Sequence, residues 1–272
     1  MVAARGFRCL VPTWPLGAHR PAMRAGADLS PRGVASLVSE LMHRMDLDDV
    51  TLVGNDTGGA ICQFVVDASP DRVGRLVLTN CDGFEIFPPF PFGLLFRIAR
   101  HPRFARPLLA LTRSARVRNG VLGFGLLVRR RLSAGESLPW VSSYLQDAGV
   151  RRDVATFARA ARAADLAEVG SRLGAFRDRS CSAGRPRTGS SGSRWRTGCR
   201  PPSRQRGSSR SRGARTFVPL DQPSPARGGD RLVRRVNPIV RYGRTVRALV
   251  PCVADYRSVS PDDGTRVRRW RR

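Results

Sequence analysis

The sequence predicts an α/β protein built on a partial parallel sheet, with a helical insertion and a largely disordered, arginine-rich C-terminal third. Three observations carry that expectation. Helical and strand periodicities alternate between residues 30 and 80, the strand signal disappears from Phe84 to about Asp165, and the composition changes abruptly near residue 177. Alternation of this kind implies a parallel sheet with crossover helices, because parallel strands need a long connection between them.

The first helix begins at Ser30-Pro31, an N-cap residue followed by proline at the first helical position, and Val34, Leu37, Val38, Leu41, Met42 and Met45 recur on one face. The run DLDD ends it. Val50–Gly54 (VTLVG) is a short β-branched apolar stretch suited to a strand covered on both faces. Ala60–Ala68 reads as a helix closed by Ser69-Pro70, and Arg75–Asn80 (RLVLTN) as a second buried strand. Proline-punctuated helical segments rich in Leu, Phe and Arg then follow.

These readings divide the chain into a partial core over 1–84, a helical cap over 85–165 and a return to the core over 166–176. Residues 177–213 are Arg, Ser, Gly and Pro with almost nothing to bury, so they cannot offset their own ordering entropy and are expected to be disordered. Residues 214–223 (ARTFVPLDQP) form an apolar remnant, and 224–272 a second basic stretch.

All 48 basic residues are arginine, against 21 acidic ones, for a net charge of +27. Residues 177–272 supply +19 of that excess. Complete exclusion of lysine is better explained by a GC-rich coding sequence than by selection for charge. The six cysteines show neither C-x-x-C spacing nor the density of a disulfide scaffold, which suits a reducing, cytoplasmic setting. No apolar run is long enough for a signal peptide or a membrane span, so no membrane association is expected.

The stretch G-N-D-T-G-G at Gly54–Gly59 places Asp56 where the first strand meets the second helix. It has the form G-x-Nuc-x-G-G in a strand-then-helix setting, the context that gives this motif meaning. Gly54 and Gly58 allow close backbone approach around a strained turn, and Gly59 allows tight helix–strand packing. The helix N-terminus favours an ionised carboxylate and can offer N–H groups to a developing oxyanion, with Asn55 and Thr57 shaping the pocket. The bland alternative is that Asp56 is simply an N-cap.

From Gly6 to Phe176, and again at RTFVPLDQP, the chain resembles α/β-hydrolases of the haloalkane dehalogenase and epoxide hydrolase type, whose nucleophile is aspartate. The resemblance implies attack by Asp56 on an electrophilic carbon of a small organic substrate, an epoxide, alkyl halide or ester. A covalent alkyl-enzyme ester forms and a histidine-activated water cleaves it. It implies no cofactor and no metal.

The rest of the family pattern is incomplete. The chain starts beyond the H-G-x-P-type loop, which reads as truncation of the front of the sheet. Thr57 stands where the named subfamilies usually carry tryptophan, which makes dehalogenation the less expected chemistry. Thr216 holds the place of the base histidine, and Asn80 one place of the supporting acid, with Asp82 two residues on. Neither base nor acid is therefore identifiable, and catalysis is expected to be impaired. Of the three histidines, His19 in PLGAH is the candidate substitute base, whereas His43 and His101 read as packing or surface residues.

A one-base shift of reading frame across Asp178–Gly184 permits R-P-V-L-L-x-W, and across Arg187–Ser191 D-R-F-F. Translation of about 177–213 out of the ancestral frame is thus a hypothesis, which stop codons throughout that alternative frame in the coding DNA would refute. Two other functions compete with hydrolysis: a non-catalytic scaffold, and a non-specific nucleic-acid binder working through the basic C-terminal segment. Without aromatic interleaving, helix-turn-helix or zinc spacing, no specific nucleic-acid partner is expected.

Overall fold

A computed structural model describes residues 7–81, 92–121, 123–173 and 176, together with the backbone of 179–183, 207–209 and 247–249. Six parallel strands form one sheet in the order β1-β6-β2-β3-β4-β5. The strands are β1 (Arg8–Leu10), β2 (Val50–Asp56), β3 (Val73–Cys81), β4 (Arg179–Ala183), β5 (Gly207–Ser209) and β6 (Arg247–Leu249).

Helix α1 (Pro31–Arg44) starts where its capping signals place it. Ser30 Oγ accepts from the Gly33 N–H at 3.0 Å, and Val34, Val38 and Met42 are fully buried. It packs beside α2 (Thr57–Ala68), whose Ala60, Ile61, Cys62, Phe64 and Val65 lie in the same core as Val50 and Leu52 of β2 and Leu76 of β3. Residues apolar all round mark α2 as a helix enclosed on most sides. The β2–β3 ladder runs from Val50↔Val73 to Asp56↔Cys81 with irregularities at both ends.

Residues 92–172 supply α3 (Phe92–Ala99), α4 (Pro102–Ala110), α5 (Ala115–Asn119), α6 (Ala134–Gln146), α7 (Ala148–Ala160) and α8 (Ala163–Arg172). As expected of the insertion, no strand occurs among its described residues. Much of it packs around its own small cores, one formed by Ala105, Tyr144, Leu145 and Val150 and another by Leu127, Val128 and Leu132. Phe157 and Ala161, however, already belong to the main core, ahead of Leu166 and Val169 on α8.

Two short segments inside the stretch expected to be disordered, β4 and β5, are strands, and the remainder of that stretch lies outside the described residues. Their side chains offer little to bury, but β4 satisfies the open hydrogen-bonding edge of β3 over five residues, from Arg75↔Arg179 to Thr79↔Ala183. Likewise β6, from the basic C-terminal stretch, lies between β1 and β2, where it pairs with both. The apolar remnant at 214–223, with Thr216, and Asp82 lie outside the described residues.

Candidate active site at the Asp56 corner

Strand β2 ends and α2 begins at the same residue. Asp56 has φ 53° and ψ −132°, a conformation rarely adopted by any residue other than glycine. The side chain is half-buried and makes no capping hydrogen bond to α2. Aspartate at a helix N-terminus ordinarily uses its carboxylate on the N2 or N3 amide, so capping does not account for this residue or its strained backbone.

The glycines around it are sterically required. A Cβ on Gly54 would lie 2.5 Å from the Gly59 Cα and 2.9 Å from both Cys62 Sγ and the Gly58 carbonyl oxygen. A Cβ on Gly59 would lie 2.1 Å from Cys81 Cβ on β3. Helix α2 therefore leaves the sheet with its first turn pressed against the ends of both β2 and β3, and only this spacing of glycines permits so abrupt a corner. Gly58 is buried in the same turn.

Asn55 is half-buried, and its Oδ1 accepts from Thr79 Oγ1 at 3.0 Å, a bond that ties the end of β2 to β3. Thr57 is the first residue of α2. Asn80, near the end of β3, also has positive φ, 34°. Beneath the corner, burial pushes the Cys62 thiol far above its ordinary range, with Cys81 adding to the effect, so Cys62 is a packing group and not a nucleophile.

The structure does not bring His19 into contact with Asp56. Its imidazole is buried against the insertion, where Gly17 N–H donates to Nδ1 at 3.4 Å, leaving Nε2 to donate to Asp153 Oδ2 at 3.1 Å on α7. Asp153 Oδ2 also accepts from Met23 N–H at 2.7 Å, and Oδ1 from the Arg152 guanidinium. Burial pushes this carboxyl upward, yet the hydrogen bonds from His19, Met23 and Arg152 outweigh it and hold it below the usual range. Sequence reasoning missed Asp153, 134 positions away, because nothing local marks it as a partner of His19.

The other histidines are exposed, as their sequence contexts suggested. His43 Nδ1 meets the Arg72 guanidinium at 3.2 Å, and the His101 ring lies edge-on to Phe104. No histidine hydrogen-bonds Asp56. Among the described residues no cluster of His, Cys, Asp and Glu could hold a metal ion, and no helix is long and apolar enough to cross a membrane.

Solved structures similar to this fold include a haloalkane dehalogenase loop variant from Bradyrhizobium elkanii, with a TM-score of 0.59 at 14% identity over 81% of this chain and 78% of that one. The epoxide hydrolase CorEH gives 0.57 at 16% identity, over 80% and 78% of the two chains. An α/β-hydrolase fold protein from Burkholderia ambifaria gives 0.54 at 20%, over 82% and 77%. The fold is that of the α/β-hydrolases. At these identities the likeness establishes the fold alone.

No family model matches the sequence. Among curated proteins, an uncharacterized protein of Mycobacterium tuberculosis and its counterpart in Mycobacterium bovis are each 28% identical over 163 residues, which is 59% of this chain and 46% of theirs. The match thus spans about half the length of the curated relatives.

Proposed function

We propose that this chain is a hydrolase of small organic electrophiles, epoxides and esters ahead of alkyl halides, with Asp56 as the nucleophile. The observation that carries the reading is the carboxylate at a strained strand-to-helix corner, half-buried and not used to cap the helix it precedes. A side chain held there at a cost in backbone strain needs a purpose other than capping.

In the first step one Asp56 carboxylate oxygen attacks carbon. The new C–O bond forms as the carbon–halogen bond, the alkyl–oxygen bond of an ester, or one epoxide C–O bond breaks; the departing halide or carboxylate keeps the electron pair, or the alkoxide takes a proton from water. The N-terminal amides of α2 and the polar pair Asn55 and Thr57 stabilise charge on the aspartyl oxygens. In the second step water adds to the aspartyl carbonyl and the product alcohol leaves, restoring the carboxylate. That step calls for a general base, worth on the order of 10²–10⁴ in rate.

Both His19 ring nitrogens are engaged, by Gly17 and Asp153, so we read this residue as bracing the insertion and not as the base. The chain therefore alkylates readily and hydrolyses slowly. Mixed with an alkyl halide the protein should release about one equivalent of halide in a burst, and with an epoxide it should consume about one equivalent of substrate in a burst, each followed by a slow phase, and Asp56→Asn should abolish both bursts. Rapid sustained turnover lost in Asp56→Asn would show that a base acts after all. Equal behaviour of the two proteins would remove Asp56 from the chemistry.

A further inference from the structure

Between Glu85 and Glu136 the chain carries no acidic residue, although ten arginines fall in that interval. The fold gathers three of them with a fourth. Arg103 and Arg106 on α4, Arg113 just beyond it and Arg151 on α7 line one cleft of about 610 Å³, walled by Pro102, Pro107, Ala110 and Leu145. None of its lining residues comes from β2 or α2, so it is separate from the Asp56 corner.

A solvated basic face is convex, whereas here the arginines share a concavity with one of them fixed. Arg151 is held in place, its guanidinium donating to the Tyr144 and Leu145 carbonyls at 3.0 and 3.3 Å. The guanidinium groups of Arg103, Arg106 and Arg113, in contrast, make no hydrogen bond or ion pair with any described residue, although the Arg113 carbonyl accepts from Arg118 Nη1 at 2.7 Å. Several arginines elsewhere in the fold are matched, Arg172 with Asp67 and Glu168, Arg130 with Glu136, Arg72 with Asp48, and Arg75 with Asp49; Arg97 and Arg116 are unmatched among the described residues but do not line this cleft. Four like charges on one concavity repel one another, and an anion shared among them turns that repulsion into attraction.

We propose that the cleft between α4 and α7 binds an anion bearing two or more phosphate groups. Guanidinium forks match phosphate oxygens in bidentate geometry, several arginines on one wall suit a ligand with several phosphates, and two prolines stiffen that wall. The phosphates come from a free phosphorylated metabolite or from a phospholipid headgroup.

The test uses the full chain, with inorganic pyrophosphate as the soluble probe and cardiolipin vesicles, whose headgroup carries two phosphates, as the lipid probe. Affinity is measured by titration calorimetry and vesicle co-sedimentation, and backbone hydrogen exchange is followed over residues 102–113. Arg106→Ala with Arg113→Ala is compared with Arg97→Ala with Arg116→Ala, an equal loss of charge at exposed positions outside the cleft. The cleft pair should weaken binding at least ~10-fold, as expected for loss of two charge-assisted contacts, while the outside pair leaves it nearly unchanged. The probe bound should slow exchange at 102–113, and whichever probe is lost in the cleft variant identifies the source. Equal weakening by both pairs would show diffuse attraction by the arginine-rich chain, including its C-terminal stretch, and would overturn the proposal. So would the absence of protection at 102–113 with both probes.

Discussion

Asp56 occupies its conformation because its neighbours leave no alternative. The missing Cβ atoms at Gly54 and Gly59 let α2 start in contact with β2 and β3, and the turn residue absorbs the change of direction at φ 53°. Replacing Gly59 by alanine forces a methyl to 2.1 Å from Cys81 Cβ. Both contact atoms are stiffly held, so the variant should lose about 3 kcal/mol or more by urea unfolding. A loss below about 0.5 kcal/mol would mean that the corner is looser than described here. The second residue-scale arrangement, His19 with Asp153, is a positioning device. Asp153→Asn keeps the shape but loses the charge, and sets an amide against donors from His19, Met23 and Arg152. It should destabilise the fold by about 2 kcal/mol while leaving the Asp56 burst intact once the protein is folded. A lost burst in folded Asp153→Asn would return His19 to the chemistry.

The elements differ sharply in how far the sequence reveals them. Helix α1, strand β2, helix α2 and strand β3 follow from apolar periodicity, a Ser-Pro start and the glycine spacing, since burial and local signals there agree. Strands β4, β5 and β6 do not, because RSCSA, GSS and RAL carry no alternating apolar pattern. β6 and β4 are strands because β2 and β3 present open hydrogen-bonding edges, and β5 because β4 in turn presents one, a property of the sheet and not of those segments. The candidate site divides in the same way: the Asp56 corner is written in contiguous residues, whereas the Asp153 partner of His19 and the arginine cleft arise only when the insertion folds.

Helix α6 offers an element-scale test. Ser133 Oγ accepts from the Glu136 N–H at 3.3 Å, and the Glu136 carboxylate returns to the Ser133 N–H at 2.9 Å. Hydrogen bonding from the Arg130 guanidinium, then from Ser133, holds Glu136 down from 4.5 to about 2. A carboxyl depressed on folding stabilises above its unfolded value and loses that contribution as pH falls through its folded value. The stability gap between the native chain and Glu136→Gln should therefore be constant above about pH 5 and shrink toward pH 2, as thermal unfolding against pH can show. A gap independent of pH would contradict the capping box. Ser133→Ala should cost about 1 kcal/mol.

At the scale of the molecule, a parallel sheet carries a helical insertion whose members pack partly on themselves and partly, through Phe157, Ala161, Leu166 and Val169, on the main core. Bidentate pairing of Arg172 with Asp67 at 2.7 Å fastens α8 to α2, and Arg32 brings α1 to the same carboxylate. Hydrogen bonding from Arg172 holds Asp67 below the usual carboxylate range. These pairs hold the C-terminal end of α2, the helix whose first turn forms the corner. The sheet also gains three strands from residues 179–249, which makes the arginine-rich third a contributor of backbone to it.

All of this frames one claim, that the Asp56 carboxylate meets carbon electrophiles. The most direct measurement is peptide mapping by tandem mass spectrometry after brief exposure to an epoxide and acid quench. The account predicts an ester on the peptide containing Leu52–Gln63, localised to Asp56 and absent from Asp56→Asn. An unmodified Asp56, or label spread over exposed carboxylates such as Asp46 and Asp48, would contradict it.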